Sequence, residues 1–165
     1  MNRARIISRL GAALVAVPAL ASAKELRMTS SHPLDEVLAK RSAATSLTVY
    51  HVSGLRQTLT AIRPSEIETY QGVEKHTTQD AKTVADAFDA IAAAHPDRTA
   101  QAAEYRWKLV FEDTTGARIV ELYATAYGPY LGMLDTTPIR YTNDHLVRWL
   151  TETYAPSELP SLKST

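Results

Sequence analysis

Residues 105–126 constrain this chain more than any other stretch. Tyr105, Trp107, Leu109 and Phe111 alternate with Arg106, Lys108 and Glu112, the period of a strand with one buried face. Asp113-Thr114-Thr115-Gly116 follows, with aspartate and glycine at the first and fourth positions of a type I turn. Arg118 to Ala126 then returns as the partner strand. A hairpin of this kind commits the chain to an antiparallel sheet whose one face rests on a core.

More strands join it. Tyr127-Gly128-Pro129-Tyr130 turns the chain again, Tyr130 to Leu134 reads as a third strand, and Ile139 to Tyr141 as a fourth. Upstream, Leu47 to Val52 is rich in β-branched and aromatic residues and ends at Gly54. Thr58 to Ile62 is expected as another strand, stopped by Pro64. Pro64 to Ile67 reads as a helical turn, Val73 to Thr77 as a short edge strand, and Asp97 to Glu104 as a polar loop.

The helices carry a different period. Val84, Phe88 and Ile91 recur at helical spacing over about 79–95, with Ala81, Ala85 and Ala92 expected on the same side. Thr78 or Asp80 caps this helix and Pro96 stops it. Leu146, Val147, Leu150 and Tyr154 share a face of a last helix, capped by Asn143 or Asp144 and ended by Pro156. A shorter helix is expected near 33–43, with Pro33 in its first turn. Strands joined by tight turns, with helices set apart, give the α+β class. The expectation is a single antiparallel sheet of four to six strands with two main helices packed on one face.

The first 23 residues read as an export leader. Arg3, Arg5 and Arg9 precede an apolar run from Leu10 to Leu20, and Ala21-Ser22-Ala23 offers small residues for cleavage. The run is shorter than the roughly 20 residues of a membrane-spanning helix. The organisation expected is a signal peptide over 1–23, one α+β domain over 24–156 and a flexible tail over 157–165, with a periplasmic or secreted location and no stable membrane anchor after cleavage. The chain has no cysteine, so disulfides, thiolate metal sites and a lipidated cysteine are excluded. Its 18 basic and 18 acidic residues become 15 and 18 once the leader is removed. Such a mildly acidic protein has no footprint for nucleic acid.

Motifs for chemistry are missing. None of the five histidines pairs at i, i+4, and no zinc signature is present. His51 and Ser53 sit two apart on a strand, better read as a polar sheet face than as base and nucleophile. His95 ends a helix, where an imidazolium suits the dipole. Glu66 and Glu68 show no cleft between them, Glu112 reads as an outward strand residue, and Asp113 belongs to the turn. The glycines are scattered singly and cradle no phosphate. No catalytic, cofactor-binding or metal-ligating residue is therefore assigned.

One constellation suggests binding. If Val120, Leu122, Ala124 and Ala126 face the helices, Tyr123 and Tyr127 lie on the open side of the sheet, beside Tyr130. Tyrosine is enriched at protein interfaces. The opposing reading is a second small cluster on that side. The function expected is that of an exported, non-catalytic binding protein of the bacterial envelope, comparable in kind to inhibitors and immunity proteins, with another protein as partner and Tyr123, Tyr127 and Tyr130 as interface. The alternative is a small periplasmic enzyme or ligand carrier with a pocket between sheet and helices, for instance one gathering His51, His76 and Glu66. A third is a scaffold subunit that assembles through a strand edge.

Overall fold

The computed structural model describes residues 34–58, 60–98, 104–134 and 136–159; the expected leader and the residues up to 33 lie outside them. In chain order the elements are α1 (Asp35–Ala39), β1 (Ser46–His51), a 3-10 turn (Pro64–Thr69), β2 (Glu74–Thr78), α2 (Ala81–Ala93), β3 (Pro96–Arg98), β4 (Trp107–Glu112), β5 (Arg118–Ala124), β6 (Leu131–Leu134), β7 (Thr137–Tyr141), α3 (His145–Tyr154) and a second 3-10 turn (Pro156–Glu158). The fold is α+β. Six strands of four residues or more form one antiparallel sheet, and the three-residue β3 joins at one edge, in the order β2-β1-β4-β5-β6-β7-β3.

The hairpin forms where the alternation places it. The Asp113 carboxylate accepts from Thr115 N at 2.8 Å and Ala117 N at 3.1 Å, and Gly116 takes φ +80°, which glycine adopts without steric cost. Trp107, Leu109 and Phe111 on β4 and Val120, Leu122 and Ala124 on β5 point to the helices. They meet Val84, Ala87, Phe88, Ala90 and Ile91 of α2 and Leu146, Val147 and Leu150 of α3 in one buried cluster. Phe88 and Phe111 rings lie 4.5 Å apart at its centre. The small side chains facing the sheet are Ala87 and Ala90; Ala81 and Ala92 are exposed and Ala85 is half-buried, so the alanine stripe is rotated from the one expected.

The helix ends explain their own positions. The Asp80 carboxylate accepts from Thr83 N at 2.8 Å and caps α2. His95 takes φ 44°, the left-handed conformation that ends helices, and turns the chain into β3. Its carbonyl accepts from Thr142 N and Oγ1. Asn143 donates to Ala93 O at 2.8 Å and accepts from His145 N at 3.2 Å, so one side chain ties the end of α2 to the start of α3.

Three local expectations are corrected. Thr58 to Ile62 contains no strand among its described residues; Ile62 is buried against the second sheet face instead. Pro96–Arg98 pairs with β7, where a loop was expected from residue 97. Ser157 to Leu159 belongs to the fold, because Glu158 is buried and accepts from Gly54 N at 3.2 Å; residues 160–165 lie outside the described ones.

Candidate functional site

Of the three expected interface tyrosines, Tyr123 is buried. The second sheet face is covered by the segment between β1 and β2, and Tyr123 joins Tyr50, Val52, Ile62, Ile67, Tyr105 and Val110 in a second apolar cluster. The hydroxyl of Tyr123 donates to Glu121 Oε2 at 3.0 Å. Tyr127 and Tyr130 are half-buried at the turn that follows β5, and Tyr130 leans on the main core. The three do not form one exposed patch.

An ion lattice closes the second face. Lys108, on β4, is buried, and its Nζ lies 2.6 Å from Glu68 Oε1 and 2.7 Å from Glu121 Oε2. It also stands 5.1 Å from the centre of the Tyr123 ring. Arg118 binds Glu68 through two nitrogens at 3.0 Å and reaches Glu121 Oε1 at 3.0 Å. Arg118 beside it, against the effect of burial and helped by Lys108, holds the Glu68 carboxyl down at about 2. Burial weakens the Lys108 ammonium, but Glu121 and Glu68 outweigh it and keep its pKa raised. Every charge here has a partner, so the lattice pins the Pro64–Thr69 turn to the sheet. Glu68 joins it from 40 and 50 residues away along the chain, a pairing that no local pattern encodes.

Of the described histidines, His51 and His76 both approach Glu74. His51 faces the helix side with Leu47 and Val49, is 1% exposed, and stacks on Trp107 at 3.8 Å, so the polar sheet face expected for it is not formed. Its Nδ1 lies 3.6 Å from Glu74 Oε2 and its Nε2 3.6 Å from Glu158 Oε1. Burial pushes its pKa down, opposed by Glu158 and Glu74. His76 Nε2 is 4.0 Å from Glu74 Oε2. Glu66 instead accepts from Arg63 N at 3.0 Å and caps the 3-10 turn. The imagined trio of His51, His76 and Glu66 therefore does not share a purpose. Ser53 accepts from Leu55 N through its hydroxyl, a turn contact. No group of three or more His, Cys, Asp or Glu able to hold a metal occurs among the described residues.

Two concavities deserve comparison. The smaller, about 350 Å³, is lined by Gly54, Glu104, Arg106, Thr125, Tyr127, Pro129 and their neighbours. Its guanidinium is already committed: Arg106 donates to Ser53 O and Arg56 O and pairs with Glu104. The larger, about 720 Å³, runs between α1, the loop that leads into β1, and α2. Val84 and Phe88 form its buried floor, with Leu38, Ala39, Ala44, Ala81 and Ala85 along its walls. Arg41 is its one ionisable lining residue, and its guanidinium holds Asp89 at 2.5 Å. Ser42, Thr45 and Gln79 complete a polar rim. No local pattern marks this trough, although Leu38 on α1 and Val84 and Phe88 on α2 occupy apolar helix positions legible in the sequence.

No family model, no curated protein and no solved structure matches this chain. No helix among the described residues is long and apolar enough to cross a membrane.

Proposed function

We propose that this is an exported binding protein of the bacterial envelope that holds an apolar segment of a protein partner in the α1–α2 groove and does not turn it over. The observation that carries the reading is the inventory of that groove. Apolar side chains form its floor and walls, and the single ionisable group lining it is neutralised by Asp89. Catalysis needs acid, base or nucleophile converging on one concavity. Binding of apolar side chains needs what is present: desolvated floor, small alanine walls and a polar rim. Ala39, Ser42, Thr45, Gln79 and Ala81 are exposed, so the groove is an open trough. An open trough between helices suits a partner segment laid along it, as in helix-in-groove recognition. The leader over residues 1–23 supports export, and the absence of cysteine is compatible with an oxidising compartment.

A second reading keeps the same groove for a small apolar ligand, because 720 Å³ lies within the range of roughly 300–1,000 Å³ typical of ligand pockets. Tyr127 and Tyr130 remain proposed as a separate contact, beside the smaller cleft.

The test uses immobilised mature chain and envelope extract, comparing wild type with Ala81→Arg/Ala85→Arg and with Tyr127→Ala/Tyr130→Ala. A protein retained by wild type and lost with the arginine pair supports the groove. Retention unaffected by the arginine pair, but lost with the tyrosine pair, transfers the interface to the smaller cleft and defeats the groove reading.

A further inference from the structure

The region around His51 is poorly satisfied for the interior of a protein. His51 is 1% exposed, yet neither ring nitrogen has a hydrogen-bond partner, the flanking carboxylates standing off at 3.6 Å on both sides. Trp107 Nε1, on the ring that stacks with it, and Tyr154 Oη, at the end of α3, are also buried without a partner. Buried polar atoms are nearly always paired, and a cluster of exceptions calls for a physical reason.

The groups that face His51 are few. From β2 come Glu74, its cross-strand neighbour, and His76, whose ring stands 5.3 Å from that of Tyr154 on α3. From β4 comes the Trp107 ring. From the Pro156–Glu158 turn comes Glu158, a buried carboxylate. This turn has three residues, and Glu158 holds it to the β1 end through one bond from Gly54 N at 3.2 Å. It is the shortest element over the imidazole.

We propose that the Pro156–Glu158 turn is a latch closed over a neutral His51 and released when the imidazole takes up a proton. A neutral ring tolerates this site. An imidazolium would have Glu74 and Glu158 at 3.6 Å, close enough to attract it but beyond hydrogen-bond distance, and with Glu74 more than half exposed and screened by solvent the loss of hydration on burial outweighs both. Opening the turn admits water at the cost of the hydrogen bond from Gly54 N to the Glu158 carboxylate and of the burial of that side chain, whereas opening β1 or β4 would break the sheet. The same logic sets the sign. Burial lowers the folded-state pKa of His51 below its ordinary 6.5. The opened form then binds the proton more readily than the closed one, and closure is lost as pH falls below 6.5.

The experiment is amide hydrogen exchange on the full chain between pH 7.5 and 5.0, corrected for intrinsic exchange, alongside NMR titration of the His51 ring. One linked proton gives up to about a tenfold loss of protection per pH unit below 6.5 at Ala155 and Glu158, with Leu109 and Leu122 unchanged. His51→Gln removes the slope. Should that variant fail to fold, the wild-type ring titration and exchange decide together: a midpoint below 6.5, accompanied by loss of protection, supports the latch. A midpoint at or above 6.5, or protection at Ala155 and Glu158 that holds or rises in acid, overturns it, since two carboxylates would then be clamping the imidazolium.

Discussion

Replacing Lys108 by methionine tests whether the ion lattice on the second sheet face stabilises the fold. The substitution keeps the aliphatic stem of a buried side chain and removes the ammonium that Glu68, Glu121 and the Tyr123 ring surround. Taking one partner from a buried ion pair costs about 3–5 kcal/mol. Here Arg118 still grips both carboxylates, and their side chains are about a quarter exposed, so about 2 kcal/mol is expected near pH 7. The pH dependence separates charge from packing. Glu68 sits at about 2 against an ordinary 4.5. Fully shielded, that difference would contribute about 3.4 kcal/mol, which solvent screening reduces to about 1–2 kcal/mol. Because the folded value lies below the unfolded one, this stability is present above 4.5 and is lost as pH falls toward 2. As pH falls through that range the unfolded chain takes up protons that the folded lattice resists, and the wild type, whose Glu68 is also held down by Lys108, loses more stability than the variant, so the gap narrows. Urea denaturation at pH 7 and pH 3 measures both effects. A penalty below about 0.5 kcal/mol at pH 7, or one that is equal at the two pH values, would refute the assignment of the lattice as an electrostatic clamp.

Other perturbations probe separate links. Phe88→Ala removes a fully buried ring from between α2 and the sheet and should cost about 3–5 kcal/mol by thermal or urea unfolding. Asp80→Ala removes the α2 cap and should cost about 1 kcal/mol, recovered in large part by Asp80→Asn. Gly132→Ala would set a Cβ 2.7 Å from Tyr123 O, a backbone atom, and should destabilise by about 1–3 kcal/mol in the same assay.

The elements that sequence made legible are those where one period dominates. The β4–β5 hairpin reads directly because each of its buried side chains returns to the same face, and Asp113 and Gly116 mark the turn. α2 and α3 read as helices, but Ala81, Ala85 and Ala92 could not be ranked against Ala87 and Ala90, since alanine fits either side of a helix. The second sheet face was not legible. Tyr123 looked exposed because the segment that covers it brings its apolar residues, Val52, Ile62, Ile67, Tyr70 and Val73, without a regular period and is interrupted by Gly54 and Pro64. Thr58 to Ile62 carried the composition of a strand, yet the edge beside β1 is taken by β2. His51 was misread for a related reason. Its face follows from Leu47 and Val49, whereas its polarity suggested solvent. The α1–α2 groove depends on how two helices meet, which no local pattern encodes.

The claim that the α1–α2 groove is the binding surface is tested most directly by titrating isotope-labelled chain with an apolar fluorescent anion such as anilinonaphthalene sulfonate. Saturable one-to-one binding is expected, with amide shifts gathered at Leu38, Ala44, Ala81, Val84 and Phe88 and abolished by Ala85→Trp. Shifts gathered at Tyr127 and Leu131, or scattered without saturation, would contradict it.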